Sequence, residues 1–310
     1  MLARVAETIY WIGRYQERAE NTARLIKVNT NLTLDLPKGI IPDWEPLITI
    51  LGCDELYHQA HPELTERRIV NFLISDENNP VSILSSLGLL RENARTIREI
   101  LPREGWEHIN SMYQRAVENK SLSYARKGRH EFLDMIMVSL QQLTGLLAGS
   151  MNHDLAYDFL NMGRKLERAD MTTRIIDVRS ENTIPDDVPE LKPFEDMLWM
   201  SMLRSLTAYQ MYRQSKQARI RRNDVLNFLF SHSCFPRSVS FCVENMDANL
   251  DDLPNSDSCK KHIKVLQKIL DPSKRKDMDN NELHKYIDNI QLHLANLHNE
   301  ISVTYFPQVN

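Results

Sequence analysis

Acidic and basic side chains recur with the same spacing in two places of the sequence. Each set has an acid, a second acid three residues later and an arginine four residues after that: Glu17, Glu20 and Arg24, then Glu167, Asp170 and Arg174. On a helix, spacings of three and four residues place side chains on one face. Carboxylates on such a face suit an amine or a guanidinium, and arginines bind a carboxylate or a phosphate through paired hydrogen bonds. If a ligand binds on this face, the pattern therefore fits a zwitterionic amino acid or a peptide.

The candidate binding residues are the polar positions on or beside these two stripes, with one arginine from a later helix start: Arg14, Glu17, Arg18, Glu20, Asn21, Arg24, Arg164, Glu167, Arg168, Asp170, Arg174 and Arg237. Glu17 and Glu167 are also candidates for a catalytic general base. Gly13 and Gly163 share the stripes, and a glycine inside a helix costs about 1 kcal/mol relative to alanine, so we expect a close packing partner or ligand there. Two other interpretations stay open: a solvated face with i,i+4 pairs, or a buried acid–arginine network without a ligand.

The stripes belong to a longer internal repeat. Two collinear pairs of segments carry it: 13–28 with 163–178, and 71–83 with 227–239. The first pair is identical at nine of sixteen positions at an offset of 150, and the second at six of thirteen at an offset of 156. This self-similarity predicts a duplication, with a first repeat over 1–150 and a second over 151–310. We expect two pseudo-symmetric halves packed together as one unit.

Helical periodicity dominates the elements that must position these residues. Apolar residues recur every three or four positions, and alternating strand patterns with glycine turns are not evident. The last such stripe has the heptad rhythm of an amphipathic helix: Leu283, Ile287, Ile290, Leu294, Leu297 and Ile301. The sequence predicts an all-α fold of about twelve helices: 3–28, 44–58, 64–74, 80–101, 104–118, 126–149, 154–178, 194–220, 223–230, 237–250, 257–270 and 280–301. Asn79 is predicted to cap a helix that has Pro80 at its first position, and 30–43 and 180–193 are candidate connectors.

Composition excludes several classes of protein. The 310 residues carry 38 Lys+Arg against 42 Asp+Glu, a net charge of −4, which gives no electrostatic case for nucleic acid binding. The chain has no GxGxxG and no GxxxxGK[ST] sequence, so no nucleotide cofactor is predicted. The four cysteines form no CxxC pair, which favours reduced thiols and the cytoplasm. The sequence contains no run of about 18 apolar residues, so no membrane span is predicted.

Histidine and cysteine positions predict little further chemistry. On the last helix, His284, His293 and His298 lack HExxH spacing, so no metal site is predicted. His232 and Cys234 precede a helix start, where Arg237 would help to bind an anion, but a simple capped helix start is the preferred interpretation of the segment. A basic run is interpreted as a solvated helix end or a docking patch for an acidic partner: Arg213, Lys216, Arg219, Arg221 and Arg222.

Three segments resemble the bacterial alpha-E family, which is named for a repeated Glu-Arg motif. They read LARVAETIYWIGRYQERAENTARL at 2–25, HDLAYDFLNMGRKLERADMTTRIIDVRS at 153–180 and FPRSVSFCVENM at 235–246. The resemblance covers essentially the whole chain and implies an all-α fold, with the motif at Glu17-Arg18 and Glu167-Arg168. The family's members are usually encoded beside circularly permuted ATP-grasp ligase-like proteins, often with transglutaminase-like peptidases, which implies a role in forming or processing amide or peptide bonds.

Three hypotheses of function follow. The preferred one is a cytoplasmic accessory protein that acts with an ATP-grasp-type ligase, its twin Glu-Arg helices binding the partner or an amino-acid or peptide substrate. The alternative is an enzyme on amide or ester bonds, with Glu17 or Glu167 as general base and an arginine holding the oxyanion. The third is a structural homo-oligomer with 280–301 as its interface. Tyr15 and Asn21 differ from their counterparts Lys165 and Met171, so we expect two non-equivalent sites.

Overall fold

The computed structural model describes residues 1–35, 43–181, 192–215, 220–274 and 277–306. Within these ranges the chain forms α-helices and two 3-10 helices, Lys120–Tyr124 and Pro272–Lys274, and no β-strand, so the all-α prediction is confirmed. The α-helices are α1 (Ala3–Asp35), α2 (Glu45–Ile50), α3 (Asp54–Ala60), α4 (Glu66–Ser75), α5 (Ile83–Thr96), α6 (Arg103–Asn119), α7 (Arg126–Ser150), α8 (Leu155–Glu181), α9 (Lys192–Ser205), α10 (Tyr209–Ser215), α11 (Arg222–Ser231), α12 (Val239–Asp251), α13 (Asp257–Leu270) and α14 (Asn280–Tyr305).

Two of the predicted helices are each broken in two. The segment predicted as 44–58 contains α2 and α3, and the turn between them includes Gly52 with φ of 64°. The segment predicted as 194–220 contains α9 and α10, separated by a turn in which Thr207 has φ of 53°. A residue with positive φ cannot continue a right-handed helix, so apolar periodicity runs across a break that only the backbone reveals. The predicted connectors are 30–43 and 180–193. Most of each, residues 36–42 and 182–191, lies outside the described residues.

The predicted cap of α5 is wrong by three residues. Ser82 is the N-cap, and its hydroxyl accepts a hydrogen bond from the Ser85 amide at 3.2 Å. Asn79 is fully buried before the helix, and its side-chain amide donates to the Phe72 carbonyl at 3.0 Å. In the second sequence repeat, 156 residues later, Ser238 caps α12 in the same way. The serine that follows Pro-X, and not the residue before proline, starts both helices.

The first compact unit comprises residues 1–164 with Tyr305 and Phe306. Helix α1 packs against both α5 and α7 in this unit. The apolar stripe of α1 is completely buried at Ile12, Ala19, Ala23 and Ile26. Because α1 has neighbours on several sides, its polar residues are also enclosed.

Helix α7 is one described helix whose length and mean hydropathy, 1.3 over 18 residues, would allow it to cross a membrane. Of that window, 44% is buried in the protein. Phe132, Ile136, Leu140 and Leu147 form the buried side of α7, which packs against α1 and α6. This packing supports the interpretation of α7 as a core helix.

The second compact unit comprises residues 165–304. The heptad stripe of α14 is buried in the protein throughout: Leu283, Ile287, Ile290, Leu294, Leu297 and Ile301. The buried stripe is therefore part of the core of this unit, and an oligomer interface on α14 stays a prediction that would have to use another face of the helix. The predicted repeat boundary at 150/151 lies between α7 and α8, whereas contacts divide the chain inside α8, after Arg164. The first boundary is a prediction from the repeated segments, and the second follows from packing.

Candidate functional site

The polar stripe of α1 is buried. Glu17 and Asn21 are each 1% exposed, Glu20 is 4% exposed and Arg24 is 8% exposed. Removing a carboxylate from water is costly unless it is paired or hydrogen-bonded, so such residues are not ordinary surface charges. The interpretation of this stripe as a solvated face is therefore wrong, and a structural network and a ligand site both remain.

The corresponding stripe of α8 is buried at its centre and half-exposed at its end. Glu167 is 3% exposed and Arg164 is 8% exposed. The side chains of Asp170 and Arg174 are 23% and 37% exposed, and Arg168 is also partly exposed. The stripe on α8 is thus more accessible at its last turn than the stripe on α1.

Each stripe contains the same acid–arginine pair one helical turn apart. Glu20 bonds to Arg24, and the Gln141 amide donates to the same Glu20 oxygen at 3.4 Å. Asp170 bonds to Arg174 Nε at 2.9 Å. Both acids are therefore neutralised by arginines of their own helices. Glu17 and Glu167 also make polar or electrostatic interactions, so neither is a free carboxylate.

Gly13 and Gly163 mark a close crossing of α1 with the first turns of α8, inside the first unit. A Cβ atom on Gly13 would overlap the carbonyl oxygen of Leu160, and a Cβ atom on Gly163 would overlap that of Tyr10. The obstacle is backbone in both cases, so no side-chain rotation relieves it. The expectation of a packing reason for both glycines is confirmed.

Aromatic rings accompany the arginines of α1. Arg14 Nη1 donates to the Tyr10 hydroxyl at 3.1 Å, and its guanidinium lies 5.6 Å from the ring of Trp11. Arg18 lies 5.7 Å from the ring of Tyr15, which stacks on Trp11. Cation–π contacts of this kind hold a guanidinium in place over an aromatic ring.

The arginines of α8 have different neighbours. Arg164 donates to Asn161 Oδ1 at 2.5 Å, and Arg168 donates to the Pro236 carbonyl at 3.3 Å. Lys165, which takes the place of Tyr15, lies with its Nζ 4.5 Å from the ring of Phe241. The two stripes thus present different chemistry around a shared pattern.

The segment before α12 is a capped helix start. The Cys234 backbone amide donates to His232 Nδ1 at 3.2 Å, while the exposed Cys234 thiol lies 3.8 Å from the Ser233 hydroxyl. Arg237 is 7% exposed, and its carbonyl accepts a hydrogen bond from Thr172 of α8 at 3.0 Å. The segment therefore joins α8 to α12 within the second unit. Its hydrogen bonds are those of a capped helix start.

The basic run before α11 lies partly outside the described residues, at Lys216 and Arg219. Arg222 is half-buried and donates to the Met278 carbonyl at 2.5 Å and to Asn280 at 3.0 Å. Burial lowers the pKa of Arg222, although nearby acids oppose that change. This arginine joins α11 to the start of α14.

The first unit has two open cavities, one beside α5 and α6 and one between α3 and the segment before α5, with volumes of about 500 and 590 Å³. The first is lined by Gly88, Tyr113 and Lys120 among others, and the second by Cys53, Asp54 and Asn79 among others. Neither includes a residue of the polar stripes. Burial raises the pKa of the Cys53 thiol to about 12, so this cysteine is not a reactive nucleophile.

Sequence reasoning missed a buried arginine in the first unit. Arg129 is 2% exposed, donates to Glu66 Oε1 at 2.8 Å and to the Ser123 carbonyl at 3.1 Å, and lies 5.7 Å from the ring of Trp44. Arg126 donates to the second Glu66 oxygen at 2.8 Å. A signal was present, because residues 66–67 form a third Glu-Arg dipeptide, outside the repeated segments.

It also missed a His–Asp cluster in the second unit. His284 Nδ1 lies 2.8 Å from Asp177 Oδ1, and His284 Nε2 lies 3.5 Å from Asp288 Oδ2. The i,i+4 spacing of His284 and Asp288 is visible in the sequence. Asp177 is 107 residues away on α8, and no local pattern connects it with them.

Comparison with known proteins gives a family and no function. The model of the alpha-E family, described as "a predicted alpha-helical domain with a conserved ER motif", matches residues 1–306. Uncharacterized proteins of Mycobacterium bovis and Mycobacterium tuberculosis are each 25% identical over 275 residues, which cover 82% of this chain and 30% of each relative. The chain thus spans about 30% of the length of the curated relatives it matches. No solved structure matches it.

Proposed function

The chain belongs to the alpha-E family, and we propose that it is a helical binding protein that acts with an ATP-grasp-type amide ligase. Its Glu-Arg helices, α1 and α8, bind the partner or its amino-acid or peptide substrate. The observation that carries the proposal is the acid–arginine pair that both helices repeat, Glu20–Arg24 and Asp170–Arg174, on stripes with buried carboxylates.

The arginines are the groups that contact the ligand in this proposal. Arg18 and Arg168, the second residues of the two Glu-Arg dipeptides, are partly exposed, whereas Glu17 and Glu167 are buried. A guanidinium binds a carboxylate through two parallel hydrogen bonds. An amino-acid or peptide carboxylate, or an acidic side chain of a partner, fits this arrangement.

The proposal of a partner rests on two facts: the missing phosphate-binding sequences of this chain and the greater length of its relatives. Amide synthesis by a ligase consumes ATP, and this chain has neither of the common glycine-rich phosphate-binding sequences. In the mycobacterial relatives the matched region is about 30% of the chain, so there the alpha-E region is joined to further sequence. Both facts support a module that works beside a second, ATP-using domain.

We also propose that the two sequence repeats derive from a duplication. Ser82 and Ser238 cap helices at an offset of 156, and Gly13 and Gly163 make reciprocal backbone contacts at an offset of 150.

All four cysteines are free thiols, which fits a reducing compartment and supports the cytoplasm as the location.

Binding to an ATP-grasp-type ligase, of the kind that the family resemblance implies as a partner, tests the function. We expect the full chain to co-purify with that ligase, and the Arg18→Ala, Arg168→Ala double variant to bind at least about tenfold more weakly, since each lost charge-assisted bond costs roughly 1.5–3 kcal/mol. Glu17→Gln and Glu167→Gln, which remove the buried negative charge of each motif, should weaken binding in the same direction. Arg103→Ala is the matched control, because Arg103 and Glu107 form an exposed i,i+4 pair on α6.

Three outcomes separate the hypotheses. Wild-type binding by the double variant, with helical content intact by circular dichroism, rejects the role of the arginines. Absence of any ligase binding by the wild-type chain rejects the partnership. Hydrolysis of an amide or ester by the purified chain alone, abolished in Glu17→Gln or Glu167→Gln, would instead support the enzymatic alternative.

A further inference from the structure

The His–Asp cluster of the second unit lies where α8 and α14 meet. One ring nitrogen of His284 and one oxygen each of Asp177 and Asp288 lie within 4.8 Å of one another. The Asp177 side chain is 15% exposed, and His284 and Asp288 are 46% and 59% exposed. The cluster is therefore anchored on α8 and open to solvent on the side of α14.

The first unit contains a similar cluster, where α1 and α7 meet. Lys27 Nζ bonds to Asp134 Oδ1, and His130 Nε2 lies 3.2 Å from the other Asp134 oxygen. His130 and Asp134 have the same i,i+4 spacing on α7 that His284 and Asp288 have on α14. In this cluster the third member is a lysine.

The two clusters occupy matching positions of the two sequence repeats. Lys27 and Asp177 are 150 residues apart, the offset of the α1 and α8 segments. Each member of the His–Asp pair on α7 has its counterpart 154 residues later on α14: His130 with His284, and Asp134 with Asp288. The buried stripes of α7 and α14 overlay at that same offset, as Ile136 with Ile290 and Leu140 with Leu294 do.

The comparison identifies the change at one position. In the first unit the ammonium group of Lys27 is a cation built into the chain beside the His–Asp pair. In the second unit a carboxylate stands at that position, so a positive charge is replaced by a negative one and a ligand atom is added. The second unit thus brings three potential metal-ligand atoms together, where the first unit has a His–Asp pair and an ammonium group.

We propose that Asp177, His284 and Asp288 bind a first-row divalent metal ion of the zinc class. An imidazole nitrogen with two carboxylate oxygens is a ligand set for Zn²⁺ and its neighbours, whereas Mg²⁺ and Ca²⁺ prefer oxygen ligands alone. Zinc ligands lie about 2.0–2.2 Å from the metal, so small rotations of the exposed His284 and Asp288 side chains bring all three atoms into range. Water completes the coordination on the open side.

Zinc titration of the full chain, with any affinity tag removed, tests this site without reference to the ligase. Calorimetry should detect one Zn²⁺ per chain, and Co²⁺ in its place should give visible d–d absorption. His284→Ala and Asp288→Asn should each weaken zinc binding at least about tenfold, the scale on which metal sites respond to the loss of supporting groups. Asp177→Lys, which installs the arrangement of the first unit, should abolish zinc binding.

The first unit provides the controls. His130→Ala should leave zinc affinity unchanged, because Lys27 makes that cluster a poor metal site. Lys27→Asp should raise the stoichiometry from one zinc to two, since it completes the same ligand set there. Absence of zinc binding by the wild-type chain, or binding that survives both Asp177→Lys and His284→Ala, overturns the proposal. In that case the three side chains form a polar link between α8 and α14 without a metal ion.

Discussion

Gly13 and Gly163 determine how closely α1 and the first turns of α8 approach within the first unit. Each glycine faces a carbonyl oxygen of the other helix, on Leu160 and on Tyr10. Two helix backbones can come this close only where a Cβ atom is missing on the facing side. The helix-propensity cost of each glycine is therefore offset by packing that no other residue allows.

Gly163→Ala tests this contact at the scale of one methyl group. The new Cβ would overlap the backbone of Tyr10, which moves only if the helices separate, so we expect a loss of about 3 kcal/mol in the free energy of unfolding. Urea denaturation measures the change. Gly145→Ala on α7 is the matched control: nothing lies within 4 Å of its Cβ position, and alanine there should stabilise the protein by about 0.5–1 kcal/mol. Equal effects of the two substitutions would contradict the packing argument.

At the scale of elements, Glu66 and Arg129 join α4 to α7. Arg129 also reaches the carbonyl of Ser123 in the 3-10 helix, so one buried guanidinium connects three elements. Burial would raise the pKa of Glu66, but hydrogen bonds from Arg126 and Arg129 outweigh it and lower the pKa below its ordinary range. A carboxyl group with a lowered pKa in the folded state stabilises the protein above its unfolded pKa, and that stabilisation is lost as the pH falls through the folded value.

Glu66→Gln should lower the free energy of unfolding at pH 7 by about 1–3 kcal/mol, since it leaves the buried Arg129 charge without its acid. The difference between wild type and variant should shrink as the pH falls from 7 toward 3, because the wild-type carboxyl group is then protonated. Urea titrations at several pH values measure both effects. Glu107→Gln, in the exposed pair with Arg103, should change stability by no more than about 0.5 kcal/mol. A difference that grows as the pH falls would refute the assignment.

At the scale of the whole molecule, the sequence repeats and the compact units do not coincide. The first ten residues of α8 and the end of α14 belong to the first unit. Phe306 packs against Tyr10 with ring centroids 5.4 Å apart, and against Phe159 at 6.0 Å. The first unit therefore takes part of its core from beyond the first repeat.

A fragment of residues 1–150 should consequently be a poor independent domain. It lacks Phe159, Leu160 and Met162, each at most 3% exposed in the full chain, and burial of each such side chain is worth about 1.5–3 kcal/mol. We expect the longer fragment 1–164 to unfold at a higher temperature and more cooperatively. Thermal unfolding followed by circular dichroism compares the two fragments. Identical transitions would show that the repeat boundary is also a folding boundary.

Local pattern predicted most of the helices, because helical periodicity depends on residues three and four positions apart. The buried stripe of α14, the i,i+4 pairs Glu20–Arg24 and Asp170–Arg174, and a role for Gly13 and Gly163 followed from such spacing. Errors arose at helix ends and breaks, such as Thr207, where backbone conformation and not hydrophobicity decides.

The amino-acid sequence by itself determined that this chain is helical, internally similar and equipped with two acid–arginine stripes, since each of these properties is written in nearby residues. Only the tertiary structure decided that Glu17 and Glu167 are buried, that Arg129 anchors Glu66, and that Asp177 lies beside His284. The physical reason is that burial and contacts between distant residues depend on how helices pack, and a single sequence does not state which helix covers which face.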